Sequence, residues 1–117
     1  MFELTINGTV YQFQFGMKFL KEINKKVQKV ANPDSPDIKQ NVGLQFAIAG
    51  LIDGDPETLV DVLETANKTE RPRVTLDALY GFLDNEETDI DAVCEDVLDF
   101  LKQSNATKKV TNAVVEM

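Results

Sequence analysis

Two runs of alternating apolar and polar residues, Phe2-Glu3-Leu4-Thr5-Ile6 and Thr9-Val10-Tyr11-Gln12-Phe13-Gln14-Phe15, meet at Asn7-Gly8. Period two is the signature of a strand with one covered face, and Asn-Gly tolerates the positive φ that a two-residue type I′ turn requires. The turn fixes the register: Ile6 faces Thr9, Leu4 faces Tyr11 and Phe2 faces Phe13. Phe2, Leu4, Ile6, Tyr11, Phe13 and Phe15 then share one face, while Glu3, Thr5, Val10, Gln12 and Gln14 share the other. A two-stranded ribbon with one greasy side is not stable alone. The rest of the chain must cover that side, and its pattern is helical.

From Met17 the spacing changes. Phe19, Leu20, Ile23, Val27 and Val30 fall within about 100° of arc on a helical wheel, with Lys18, Lys21, Lys25, Lys26 and Lys29 around the remainder. Asn32-Pro33-Asp34-Ser35-Pro36 breaks the pattern, so a first helix is expected to end near Ala31, followed by a loop that serves as a flexible joint. Residues 38–52 read as a central helix with no polar face: Ile38, Val42, Phe46, Ala49 and Ile52 form one stripe, with Leu44, Ile48 and Leu51 beside it. Gly43, Ala47 and Gly50 make a third side that admits a close neighbour. Asp55-Pro56-Glu57 caps a third helix, which buries Leu59, Val60, Leu63 and Ala66. Thr75 caps a short fourth, whose Leu76, Leu79, Tyr80 and Leu83 share a face that Phe82 lies off. A fifth runs from Thr88-Asp89-Ile90-Asp91 to about Gln103, with Ile90, Val93, Cys94, Val97, Leu98 and Leu101 inward. The expected fold is α+β, mostly α: an N-terminal hairpin followed by a bundle of about five helices. Residues 1–105 form a single domain, and 106–117, with no cap and no strong period, form a mobile tail.

Composition narrows the chemistry. The 117 residues include no His, which removes the commonest general base and metal ligand. The single cysteine, Cys94, cannot close an internal disulfide, and with Ile90, Val97, Leu98, Glu95 and Asp96 around it reads as a packed core thiol. Asp84, Glu86, Glu87, Asp89 and Asp91 suggest a calcium loop, but the central glycine and the terminal glutamate are missing, and acids before a helix are expected from its dipole. Asp53-Gly54-Asp55 lacks further ligands, and the glycines have neither Walker nor dinucleotide spacing. No catalytic, cofactor or metal site is expected. Twelve Lys and Arg against twenty Asp and Glu give a net charge of −8, which disfavours nucleic acid. The N-terminus lacks a signal-peptide pattern, and the longest apolar stretch, Leu44 to Ile52, is too short for a bilayer, so a soluble intracellular protein without membrane contact is expected.

Charge is unevenly spread. Residues 1–31 carry five Lys against Glu3 and Glu22, a net of +3, whereas residues 32–117 carry seven bases against eighteen acids, a net of −11. A solvated helix face accounts for the lysines. The functional alternative is a docking strip of Lys18, Lys21, Lys25 and Lys29, joined by Phe82, for an acidic partner or for the acidic half of a second copy.

The order of several segments resembles a known family. Leu51-Ile52-Asp53-Gly54-Asp55-Pro56-Glu57-Thr58-Leu59, Pro72-Arg73-Val74-Thr75-Leu76-Asp77, Phe82-Leu83-Asp84 and Asp89-Ile90-Asp91, leading into Val97-Leu98-Asp99-Phe100-Leu101-Lys102-Gln103-Ser104, are similar to the tail assembly chaperones of long-tailed, siphovirus-type phages of Gram-positive bacteria. The likeness runs from the hairpin to about Lys109. It implies a non-enzymatic protein of the host bacterial cytoplasm that holds the tape-measure protein soluble, helps tail tube subunits polymerise around it and is absent from the mature virion. It also implies a longer form, made by a ribosomal frameshift near the end of the short product, whose extra domain recruits the tube protein. Two rivals remain: a small acidic adaptor or regulatory domain that binds one folded partner, and an enzyme working with carboxylates alone.

Overall fold

The computed structural model describes residues 1–30, 32–35 and 37–116. Strands β1 (Phe2–Ile6) and β2 (Thr9–Phe13) pair antiparallel in the expected register, with Phe2 opposite Phe13 and Ile6 opposite Thr9. Asn7 and Gly8 have φ of 53° and 79°, as a type I′ turn demands. The apolar side is buried at Phe2, Ile6, Phe13 and Phe15, and half-buried at Leu4 and Tyr11. Phe2, Phe13, Phe15, Phe19 and Phe100 meet edge to face or tilted, with centroids 5.1–6.4 Å apart.

The hairpin packs on two later helices, Pro56–Asn67 and Leu76–Asp84. Helix α1 (Met17–Asn24) buries Phe19, whose ring meets Phe15 just beyond β2, and Ile23, and is shorter than its lysine and valine spacing suggested. The chain leaves the helix after Asn24 and forms a second antiparallel ribbon, β3 (Gln28–Val30) with β4 (Lys39–Asn41). Helix to Ala31 and helix from residue 38 are therefore both corrected; Ala31 itself and Pro36 lie outside the described residues. The cause is pairing remote in sequence. Gln28 Nε2 donates to Asn41 Oδ1 at 2.9 Å, Val42 N–H donates to the Val27 carbonyl at 2.8 Å, and Asn24 Oδ1 accepts from Leu44 N–H at 3.0 Å. All six strand residues of the ribbon are exposed. Its tip turns through Asn32 and Ser35, where the expected joint lies.

Four further helices follow through residue 103 and build the core. They are α2 (Gly43–Ile52), α3 (Pro56–Asn67), α4 (Leu76–Asp84) and α5 (Ile90–Gln103). Asp55, Thr75 and Asp89 accept from the main chain as N-caps. Thr88, at the expected start of the fifth helix, donates its hydroxyl to the Phe82 carbonyl and leaves the cap to Asp89. Leu44, Ile48, Leu51, Leu59, Leu63, Leu79, Val97 and Leu101 form the centre. Of the four residues expected to share a face of α4, Leu79 is buried and Leu83 half-buried, whereas Leu76 and Tyr80 are 43% and 50% exposed.

The segment 106–117, expected as a mobile tail, contains a sixth helix, α6 (Lys108–Val115), with Thr107 and Thr111 fully buried beneath it. The architecture is thus α+β and mostly α, with the hairpin at its N-terminus and six helices after it among the described residues. No helix of the described residues is long and apolar enough to cross a membrane.

Candidate functional site

Helix α2 has more apolar surface than the core can use. Leu44, Ala47, Ile48 and Leu51 point inward, and the two glycines serve close packing: a Cβ on Gly43 would collide with the Ile23 carbonyl, and one on Gly50 with the Thr58 side chain. Phe46, Ala49 and Ile52, on the remaining side, stay exposed. The stripe named from the sequence as part of a central helix is thus only partly buried: Val42 at its start is covered, whereas Phe46 is 58% exposed.

Helix α6 lies along this leftover face and turns it into a groove. Val110, Ala113 and Val114 form its second wall, Gln45 and Lys109 lie on its rim, and its volume is about 590 Å³. The wall is pinned from below. The Thr107 hydroxyl donates to the Leu101 carbonyl at 2.7 Å, the Thr111 hydroxyl donates to the Thr107 carbonyl at 2.8 Å, and the Ser104 hydroxyl donates to the Phe15 carbonyl. Two helices with facing apolar side chains and an open top can take the apolar face of a third helix. Val110 and Val114, four apart, are the sequence signal for this wall, and Phe46 belongs to the stripe of α2 that the core leaves uncovered.

Reactive groups do not gather there. Cys94 is buried in α5, and burial, followed by the nearby charges of Asp91 and Asp55, pushes its thiol up to about 11. It is a packed thiol, as the sequence suggested. The Thr58 hydroxyl, donating at 2.6 Å, holds the Asp55 carboxyl below its ordinary value, which fits a helix cap. Among the described residues no three acidic or thiol side chains are placed to share a metal ion.

The residues singled out for partner binding are not brought to this groove. Lys18 and Lys21 are exposed on α1, Lys25 follows its last turn and pairs with Glu22 at 3.6 Å, and Lys29 sits on β3. They do not form one helical strip, because the helix ends before Lys25. Phe82, on α4, is half-buried and packs against the core.

The family model described as phage tail assembly chaperone protein matches residues 3–116. The match runs through α6. No curated protein and no solved structure matches the chain.

Proposed function

The chain belongs to the phage tail assembly chaperones, and from that premise we propose that it holds the tape-measure protein of its own phage in solution in the host bacterial cytoplasm while tail tube subunits assemble around it. The family is not an enzymatic one. The observation that carries the reading is the α2–α6 groove, where Phe46, Ala49 and Ala113 are exposed and Val110 and Val114 are half-buried along its second wall. A long helical client aggregates through its own apolar stripes; a groove that covers one such stripe, on a molecule with a net charge of −8, shields and solubilises it. We extend the proposal to a siphovirus-type phage of a Gram-positive host and to release of the chaperone before the virion matures, on the resemblance of the segments from Leu51 to Ser104.

The tail tube protein is reached by a longer frameshifted form joined near Lys109, in which the α6 wall of the groove would be replaced. The exposed Lys18 and Lys21 of α1, with Lys25 and Lys29 beyond it, serve an acidic partner or self-association.

Co-expression with the tape-measure protein tests the reading. The client is expected in the soluble fraction with this chain and in the insoluble fraction without it. Phe46→Asp and Val114→Asp, both at the groove, should abolish the effect while each variant stays folded. Equal insolubility with and without the chain would end the chaperone proposal. A stable one-to-one complex with a folded protein, and no effect on the tape-measure protein, would favour the adaptor reading instead.

A further inference from the structure

The groove between α3 and α4 differs in kind from the first. Its floor is apolar, made by buried Val60, half-buried Leu83 and the half-exposed ring of Tyr80, and its volume is about 580 Å³. Its rim is acidic on both sides, with Glu57 and Asp61 one turn apart on α3 and Asp84 across from them on α4. None of the three has a cation: among the described residues the one ion pair is Lys25 with Glu22. Two of the placements are unfavourable in the free chain. Glu57 and Asp61 are like charges at i and i+4, and Asp84 is the last residue of α4, where the helix dipole disfavours an anion.

We propose that this groove is a second docking surface, which takes an amphipathic helix of another protein bearing an apolar stripe flanked by Lys or Arg. The stripe covers Val60, Tyr80 and Leu83. Cations four residues apart are spaced about 6 Å along a helix, the same rise that separates Glu57 from Asp61, so each can meet a carboxylate. The carboxylates are spread along a groove and not gathered to a point, which suits an extended cationic ligand and not a metal ion. A second copy of this chain is a poor occupant: its own lysine-bearing helix, α1, has turned its apolar residues Phe19 and Ile23 into its core. Its lining shares no residue with the α2–α6 groove, although Asp61 on its edge and Phe46 of that groove both line a smaller cleft between them, and the proposal does not depend on which client fills the first groove.

The test uses the full chain, isotope-labelled, titrated with an 18-residue helical peptide carrying Leu on one stripe and Lys at i and i+4 beside it. Resonances of Val60, Tyr80 and Leu83 are expected to shift, affinity is expected to fall as salt rises, and Asp61→Asn with Asp84→Asn should weaken binding by about tenfold. Both carboxylates are exposed, so the double variant keeps its fold, which circular dichroism verifies. A Lys and Ser peptide of equal charge without the Leu stripe should bind at least tenfold more weakly, by loss of the apolar floor contact. Equal binding of that peptide would reduce the effect to general attraction of an acidic molecule and overturn the proposal. Shifts confined to Phe46 and Val114, or an affinity indifferent to the double variant, would overturn it too. So would self-association of the free chain, seen by sedimentation, that the double variant abolishes, since the occupant would then be a second copy. Loss of client solubility in Phe46→Asp with peptide binding intact separates this surface from the first.

Discussion

The side-chain amide of Asn67, at the end of α3, donates to the Gln12 carbonyl of β2 at 2.9 Å, across 55 positions of sequence. The same amide donates to the Pro72 carbonyl at 3.2 Å, and Asn67 Oδ1 accepts from Val74 N–H at 2.6 Å. One fully buried side chain thereby joins the hairpin, α3 and the segment leading into α4. A main-chain bond from Gln14 N–H to the Ala66 carbonyl runs beside it at 3.0 Å.

Asn67→Ala leaves two carbonyls and one N–H in or near the interior without their partner, and is expected to cost about 2–4 kcal/mol in urea unfolding, since each unsatisfied buried group costs about 1–3 kcal/mol. Asn67→Asp keeps the acceptor for Val74 but aims oxygen at two carbonyl oxygens, so it should lose at least as much at neutral pH. A loss below about 1 kcal/mol in both variants would mean that the three segments are held together by apolar packing alone.

Gly43 and Gly81 are expected to respond to alanine with opposite signs. A Cβ at Gly43 meets the main-chain carbonyl of Ile23, which cannot move without displacing α1, so Gly43→Ala should cost about 1–3 kcal/mol or more. At Gly81, inside α4, a Cβ meets nothing within 4 Å, and alanine should stabilise by about 0.5–1 kcal/mol through helix propensity. Thermal melts of the two variants check both; similar shifts in one direction would refute the α1–α2 close approach.

The hairpin was fully legible because its information is local: period two and Asn7-Gly8 fix the pairing without reference to the rest of the chain. The same holds for the caps at Asp55 and Thr75. What escaped depends on partners far away in sequence. Val27 and Val30 continue a helical stripe from Ile23, yet three residues of each strand pair instead, at a distance no window could register. Helix α6 has no side-chain cap, because Thr107 turns its hydroxyl inward to Leu101, so its start carries no signal. The first groove was half legible: the missing polar face of α2 was visible, but whether Phe46 lay inside or outside depended on α6. The second groove joins acids from helices whose pairing the sequence does not state.

Cys94 makes stability fall at alkaline pH. Its folded value, about 11, lies above the ordinary 9.0, because burial and then Asp91 and Asp55 favour the neutral thiol. A group raised in this way contributes stability fully below its unfolded value, and the contribution is lost as pH rises from about 9 through about 11. Cys94→Ala lowers stability at neutral pH by leaving a small cavity, but its unfolding free energy should decline less steeply than the wild type's across that window. Parallel pH profiles would refute the assignment. Thiol reagents should modify the native chain slowly and the urea-unfolded chain rapidly.

Truncation after Ser104 decides what the last helix contributes. A tail of no fixed structure would be removed without effect, which is what the absence of a cap or period in residues 106–117 suggests. In the structure α6 packs on α2 and α5, with Val110 and Val114 half-buried and Thr107 and Thr111 at 0% exposure. Covering those two valines in part is worth about 1 kcal/mol each, and the threonine methyl groups add to it, so the truncated chain should lose about 2 kcal/mol or more in chemical unfolding. It should also lose the second wall of the groove. The decisive comparison is with Val114→Asp, which keeps the helix and spoils only its apolar face. If α6 is both wall and support, truncation destabilises more than Val114→Asp, while both fail equally to keep the tape-measure protein soluble. A truncated chain within about 0.5 kcal/mol of the full one and still able to hold its client would show that α2 alone forms the working surface.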